Sequence, residues 1–448
     1  MVKGEGRRCM IGVGIWKQIE IGRGRRKEIG AGVTTEKEMG KKVKKGTKEW
    51  NRKQERERRS DRSRDKMGIL KLKMMAMVIK IDEVESIGRA KRSEEILRFK
   101  LDNGLICRQF PVKETNRIVR SEDENGNKMI NEYVREYKIG SGSYGKVVLY
   151  RNSIDGGHYA IKVSSLFRYE VFPLRAFHKS HLSKLRVALT ETALTDVLRE
   201  ILIMKVLEHP NIVNLIEVID DPSMDQFYMV LEYVESKWVC DGSGPPGGIG
   251  EDTAKKYVRD IVSGLMYLHD HNIVHGDIKP DNLLITSTGK VKIGDFSVSQ
   301  VFENDNDELR RSPGTPVFTA PECCLAQDQP TGSVYHGKAA DTWAVGVTLY
   351  CMVLGKYPFL GETLQDTYEK IVNSPLILPN DLNLELRSLL EGLLCKDPKE
   401  RMTLNDVAKH PWVIGKYGPI PQYMCWCKRN NTDDGRNPIR GMMILNGN

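Results

Sequence analysis

One segment restricts the fold more than any other: Ile273-Val274-His275-Gly276-Asp277-Ile278-Lys279-Pro280-Asp281-Asn282. Two apolar runs follow, Leu283-Leu284-Ile285 and Val291-Lys292-Ile293, separated by a turn at Thr288-Gly289, and then Asp295-Phe296-Ser297. Short apolar runs around a glycine turn read as a hairpin. A His-x-Asp-x-Lys-Pro-x-Asn run leading through a hairpin into Asp-Phe is too specific to arise by chance.

The residue types point to a chemistry. Asp277 is placed to accept the proton of a hydroxyl, and Lys279 to neutralise a transferring anionic group. Asn282 and Asp295 offer oxygen donors which, with water and phosphate oxygens, suit Mg²⁺.

Upstream, Gly140-Ser141-Gly142-Ser143-Tyr144-Gly145 lies between two strand-like runs. On its own this spacing is weak, since dinucleotide folds and plain turns share it. The run after it, Val147 to Tyr150, reads as a strand and not a helix, so a hairpin lid over phosphates is expected. Glycines let backbone N–H groups approach phosphate oxygens without side-chain obstruction. Tyr159-Ala160-Ile161-Lys162 ends an apolar strand in a single ammonium. The amphipathic run from Asp196 to Leu207 carries Glu200, which is expected to hold Lys162 in an ion pair.

With these residues in hand, residues 133–413 resemble the protein kinase catalytic domain, with every signature in order. Ala320-Pro321-Glu322 is similar to the end of an activation segment. Asp341 to Gly346 is similar to the helix that anchors the catalytic loop, and Arg401 to the arginine that pairs with Glu322. The resemblance implies a two-lobed α+β fold, with a β-rich lobe over 133–234 and a helical lobe over 235–413. ATP would lie between them, its adenine held by the backbone of Glu232 and Val234, with Val147 and Ala160 also among the residues that bind it. Leu231 stands at the gatekeeper position. Gly140, Gly142, Gly145 and Lys162 would cover the phosphates. Lys279 and Gly314-Thr315-Pro316 resemble the serine/threonine class, in which Thr315 would bridge Asp277 and Lys279.

Two positions depart from the family. Gly276 stands where an arginine usually reads an activation-loop phosphate, which puts phosphate-gated activation in doubt, although Arg310 and Arg311 lie nearby. Ser297 replaces a glycine and is expected to cost backbone freedom. Ser312 and Thr315 are regulatory candidates. The details around Phe296 to Gln300, Arg310 to Pro316, Asn131 to Tyr137 and Pro419 to Tyr423 resemble the plant geminivirus Rep-interacting kinases, which are similar to calcium/calmodulin-dependent kinase kinases. That resemblance implies a protein substrate, the activation loop of a SNF-related, AMP-activated-type kinase. No basic amphipathic helix after Trp412 reads as a calmodulin target. A scaffold pseudokinase and a nucleic-acid-binding protein are the rivals; the intact Lys162, Glu200, Asp277, Asn282 and Asp295 set argues against both.

Composition bears on the rest of the chain. Its 448 residues carry a net charge of +9, but residues 1–80 hold 25 Lys and Arg against 10 Asp and Glu. The remainder is therefore acidic, and the basic balance belongs to the tail. That tail reads as a solvated, disordered segment, with a nuclear import signal or nucleic-acid contact as the functional alternative; its monotony also fits an over-extended gene model. Residues 81–132 read as a connector with one short helix capped by Ser93, and 414–448 as a C-terminal tail. Phe167 to Arg186 is a basic insertion, open between a substrate contact and a solvated loop. The apolar run Met74 to Ile79 is far short of the ~20 residues of a membrane span. Nine scattered cysteines suit a reducing compartment, so the cytoplasm, the nucleus or both are expected. Cys425-Trp426-Cys427 offers two thiols, but no second Cys or His pair follows at ligand spacing, so the sequence speaks against zinc there.

Overall fold

Alternation of apolar residues along the strands determines how the sheet of this protein is used. In strand β9 (Gln226–Glu232), Phe227 and Met229 join one buried cluster while Tyr228 and Val230 join another. Successive side chains point to opposite faces, so β9 is buried on both sides. The computed structural model describes residues 93–430, except 143–144, 165–176, 179–192, 225, 237, 304–305, 310–313 and 328–333. The basic tail 1–80, Arg310, Arg311, Ser312 and most of the basic insertion lie outside the described residues.

The sheet runs β1 (Lys113–Thr115), β8 (Leu215–Asp220), β9, β6 (His158–Ser164), β5 (Gly145–Asn152), β4 (Tyr133–Gly142), β3 (Lys128–Ile130), β2 (Arg120–Glu122). β7 (Phe177–His178) also pairs with β9. Only β1 and β8 run parallel among the described pairs of this sheet. One face packs against helix α2 (Ala193–Val206), which buries Val197, Ile201 and Met204. Residues 93–102 form helix α1. Ser93, expected as its cap, lies within the helix, and its hydroxyl donates to the Val301 carbonyl at 3.3 Å. A tertiary partner has taken the capping group.

The second lobe is built around α3 (Glu251–Asp270) and α5 (Gly337–Leu354), with α4 (Pro321–Gln327), α6 (Leu364–Asn373), α7 (Leu384–Leu393) and α8 (Leu404–Lys409) around them. α3 buries Ala254, Val258, Ile261 and Leu265, a stripe of one helical face. α5 is buried from Asp341 to Met352, as a central helix must be. It ends at Gly355, whose φ of +65° and contact with the Pro245 carbonyl leave no room for a Cβ. Between α3 and α4 come β10 (Ile273–Val274), the hairpin β11 (Leu283–Ile285) and β12 (Val291–Ile293), β13 (Gln300–Val301) and β14 (Glu308–Leu309). β10 pairs with β13, so the segment after Phe296 folds back beside the start of the His275–Asn282 loop. Among the described residues no helix is long and apolar enough to cross a membrane.

Candidate active site

Lys162 sits on β6, in register with Val147 of β5 on one side and Met229 of β9 on the other. Its ammonium donates to both carboxylate oxygens of Glu200, at 2.7 and 2.9 Å, and to Asp295 Oδ1 at 3.4 Å. Lys162 and Glu200 are both buried. Burial would lower the pKa of Lys162, but Glu200 and Asp295 outweigh it and hold the ammonium above its usual value. Glu200 also accepts a hydrogen bond from the Phe296 backbone, so α2 is docked on Asp295-Phe296 as well as on β6.

The Asp277 loop forms a second cluster. Asp277 Oδ1 accepts from the Thr315 backbone N–H at 3.0 Å and from its hydroxyl at 2.9 Å. Lys279 Nζ lies 2.7 Å from Thr315 Oγ1 and 2.7 Å from Asp277 Oδ2. Asn282 Nδ2 donates to the Asp277 carbonyl at 2.8 Å and to its Oδ2 at 3.0 Å. Thr315 is thus the bridge expected of it. The two clusters meet at Gly294, whose N–H donates to the Asn282 carbonyl and whose carbonyl accepts from His275 Nε2 at 3.1 Å. His275 Nδ1 then accepts from the Asp277 N–H at 3.3 Å. These two partners assign the Nε2–H tautomer, and His275 braces the loop.

The loop is anchored from below. The carboxylate of Asp341 on α5 accepts from the His275 and Gly276 N–H groups and from His269, each at 2.9 Å. Burial alone would raise its pKa, yet these donors pull it below the usual carboxylate value. Gly276 has φ +81°, the left-handed region that a side chain resists. Glu322 and Arg401 pair in a fork at 2.7 and 2.8 Å, as expected.

Asp295 itself takes a φ of +60°. Burial pushes its pKa up, but Lys162, the Ser297 side chain and His275 outweigh it and bring it down to about 2. Sequence reasoning assigned Ser297 only a backbone cost. The left-handed residue is Asp295, and Ser297 lies outside that region while bonding the carboxylate. With Asp295 ionised and Asn282 offering an amide oxygen, the donor set is all oxygen and fits Mg²⁺.

The residues expected to meet the nucleotide lie along β4, β5, β6 and the end of β9. Gly142 pairs with Gly145 to close the β4–β5 hairpin, and Gly140 pairs with Val147. Ala160 pairs with Leu231 on β9. Glu232 ends β9 with its N–H donated to the Asn214 carbonyl and its carboxylate 2.7 Å from Lys292. Val234 is buried just beyond.

One expectation needs correction. Cys425 and Cys427 do have further donors beside them, because folding brings Cys107 and His271 into the same cluster. Those donors stand 320 and 156 residues from Cys427 in the chain, beyond any local ligand spacing. Arg108 is another residue without a sequence signal. It is buried and donates to the carbonyls of Met204, Leu207 and Leu215, holding the C-terminal end of α2.

Comparison with known proteins agrees with this geometry. Residues 133–413 match the protein kinase domain family. The chain is 71% identical over 342 residues to serine/threonine-protein kinase GRIK2 of Arabidopsis thaliana, covering 76% of this chain and 80% of the relative. It is 69% identical over 351 residues to serine/threonine-protein kinase GRIK1 of the same plant, covering 78% and 84%. With SNF1-activating kinase 1 of Saccharomyces cerevisiae it shares 36% identity over 356 residues, 69% of this chain and 30% of the yeast protein. A fold with this ion pair, this braced aspartate loop and these relatives leaves one assignment: the chain belongs to the protein kinase family, as a serine/threonine protein kinase.

Proposed function

We propose that this kinase acts upstream of another kinase, transferring the γ-phosphoryl of ATP to the activation-loop threonine of a SNF-related, AMP-activated-type kinase. In this reading Asp277 orients the acceptor hydroxyl and takes its proton at a carboxylate oxygen. Lys162, fixed by Glu200, and Lys279 hold the phosphate oxygens. Asn282 and Asp295 would hold Mg²⁺, which when bound neutralises charge on the phosphates. Gly140, Gly142 and Gly145 supply backbone N–H groups above them, and Glu232 and Val234 the backbone that meets adenine.

The observation that carries the upstream role is the closed Asp277–Thr315–Lys279 cluster beside Gly276. With no guanidinium at position 276, the loop holds no cation there that calls for an activation-loop phosphate. A relative named SNF1-activating kinase supports the choice of substrate. The test uses purified proteins: dephosphorylated enzyme is mixed with a SNF-related catalytic subunit, and the acceptor is mapped by mass spectrometry. Rapid modification of the loop threonine is expected. If only pre-phosphorylated enzyme acts, the phosphate-independent part fails; if neither form acts, the substrate assignment fails.

A further inference from the structure

We propose that Cys107, His271, Cys425 and Cys427 form a structural zinc site, one that clasps three distant parts of the chain. Cys107 follows α1, His271 caps the end of α3, and Cys425 and Cys427 flank the start of the terminal helix Trp426–Asn430. Their four donor atoms all lie within 4.8 Å of one another. His271 Nε2 is 3.5 Å from Cys425 Sγ and 3.5 Å from Cys427 Sγ, and Cys427 Sγ is 3.4 Å from Cys107 Sγ. Zn–S bonds of ~2.3 Å and Zn–N bonds of ~2.0 Å in a tetrahedron give donor separations of about 3.5 to 3.8 Å. Three of the observed contacts sit close to that. Cys425 Sγ and Cys427 Sγ, at 2.7 Å, are nearer, and would separate around an ion.

The imidazole is set up for coordination. His271 Nδ1–H donates to the Tyr267 carbonyl at 2.6 Å, so Nε2 is the nitrogen that faces the sulfurs and would coordinate once deprotonated. A carbonyl that accepts from the other ring nitrogen fixes tautomer and ring orientation in metal sites. Cys107 and Cys425 are buried and the other two donors half-buried. Three thiols give up their protons to solvent on binding, so a divalent ion leaves the cluster at minus one. Lys100 and Lys428 are electrostatic neighbours of these sulfurs and offset that charge. Four protein donors leave no open position, and soft thiolates with one imidazole select zinc over magnesium or calcium.

The site would act on the kinase at a distance. The Cys107 N–H donates to the Val206 carbonyl at the end of α2, and its carbonyl accepts from the Trp426 N–H. An ion at Cys107 therefore couples the terminal helix to the end of the helix that carries Glu200. The four residues are positioning groups and touch no substrate.

The test uses the full chain, purified without a metal-binding tag, dialysed against a weak chelator and assayed for metal content. About one zinc per chain is expected. Exchange with Co²⁺ should give intense thiolate-to-metal charge-transfer absorption. Cys425→Ser should weaken zinc binding by more than the ~10–100-fold typical of losing a group that only hydrogen-bonds a ligand. His271→Cys, which supplies a fourth thiolate, should retain the ion and guards against a variant that merely misfolds. Wild-type protein that is folded and metal-free with three titratable thiols would overturn the proposal. So would a disulfide among the three cysteines, or zinc retained undiminished in Cys425→Ser.

Discussion

The Asp277 cluster and the Lys162–Glu200 pair hold the same reaction centre in different ways. Asp277's loop is fixed by backbone N–H groups donating into Asp341, a carboxylate rooted in a helix buried on nearly every side. Lys162 and Glu200 are joined only through side chains reaching between a strand and a helix. The first arrangement is part of the lobe's core and cannot relax without disturbing it. The second depends on where α2 sits, and α2 is held at its far end by Arg108 and the Cys107 segment. The helical lobe thus supplies a fixed half of the centre and the β-rich lobe an adjustable one.

The largest effect should come from the fixed half. Asp277→Asn should lower the phosphoryl-transfer rate about 10³-fold, within the range of general-base catalysis, while nucleotide affinity stays near wild type. Single-turnover kinetics and calorimetry measure the two separately, and near-normal turnover would remove Asp277 from the mechanism. Asp341→Ala strands two backbone N–H groups and His269, and should cost about 3 kcal/mol of stability. A denaturant midpoint that does not move would show that the loop has another anchor. Glu200→Gln should slow transfer about 100-fold through a misplaced Lys162, with a smaller shift of the unfolding midpoint than Asp341→Ala. Equal stability losses from both variants would erase the contrast between the halves. Deleting residues 1–80 should change catalytic efficiency by no more than about twofold; a large loss in steady-state assays would bring the tail into the catalytic unit.

The fixed half was legible because its residues lie close together in sequence. Asp277, Lys279, Asn282 and Asp295 are separated by one loop and one hairpin, so their spacing alone announces the chemistry. The Lys162–Glu200 pair was harder to read, because a lone strand lysine does not name its partner; the amphipathic run after it supplied the candidate carboxylate and the kinase resemblance gave the pair its role. Arg108, Ser297 and the Cys107–His271 approach carried no usable signal. Arg108 acts on carbonyl groups, which every residue has; Ser297 acts through a hydroxyl at a position read for its backbone; and the sulfur cluster exists only once segments far apart in the chain have folded together. The sequence did place α2, observed over Ala193–Val206 against an expected run of Asp196 to Leu207.

The strands ahead of the matched kinase region have a practical meaning for anyone making this protein. β1 lies along β8, and β3 along the start of β4, so residues 113–130 close both margins of the sheet. Glu217 on β8 is wholly buried and takes its hydrogen bonds from Lys113, Thr115 and Tyr133. A fragment begun at Tyr133 would strip off two of those three donors, leave a carboxylate short of partners, and expose open strand margins to neighbouring molecules. Such a fragment would contain every residue of the reaction centre and still be prone to aggregate, whereas one begun ahead of Ser93 keeps the margins closed.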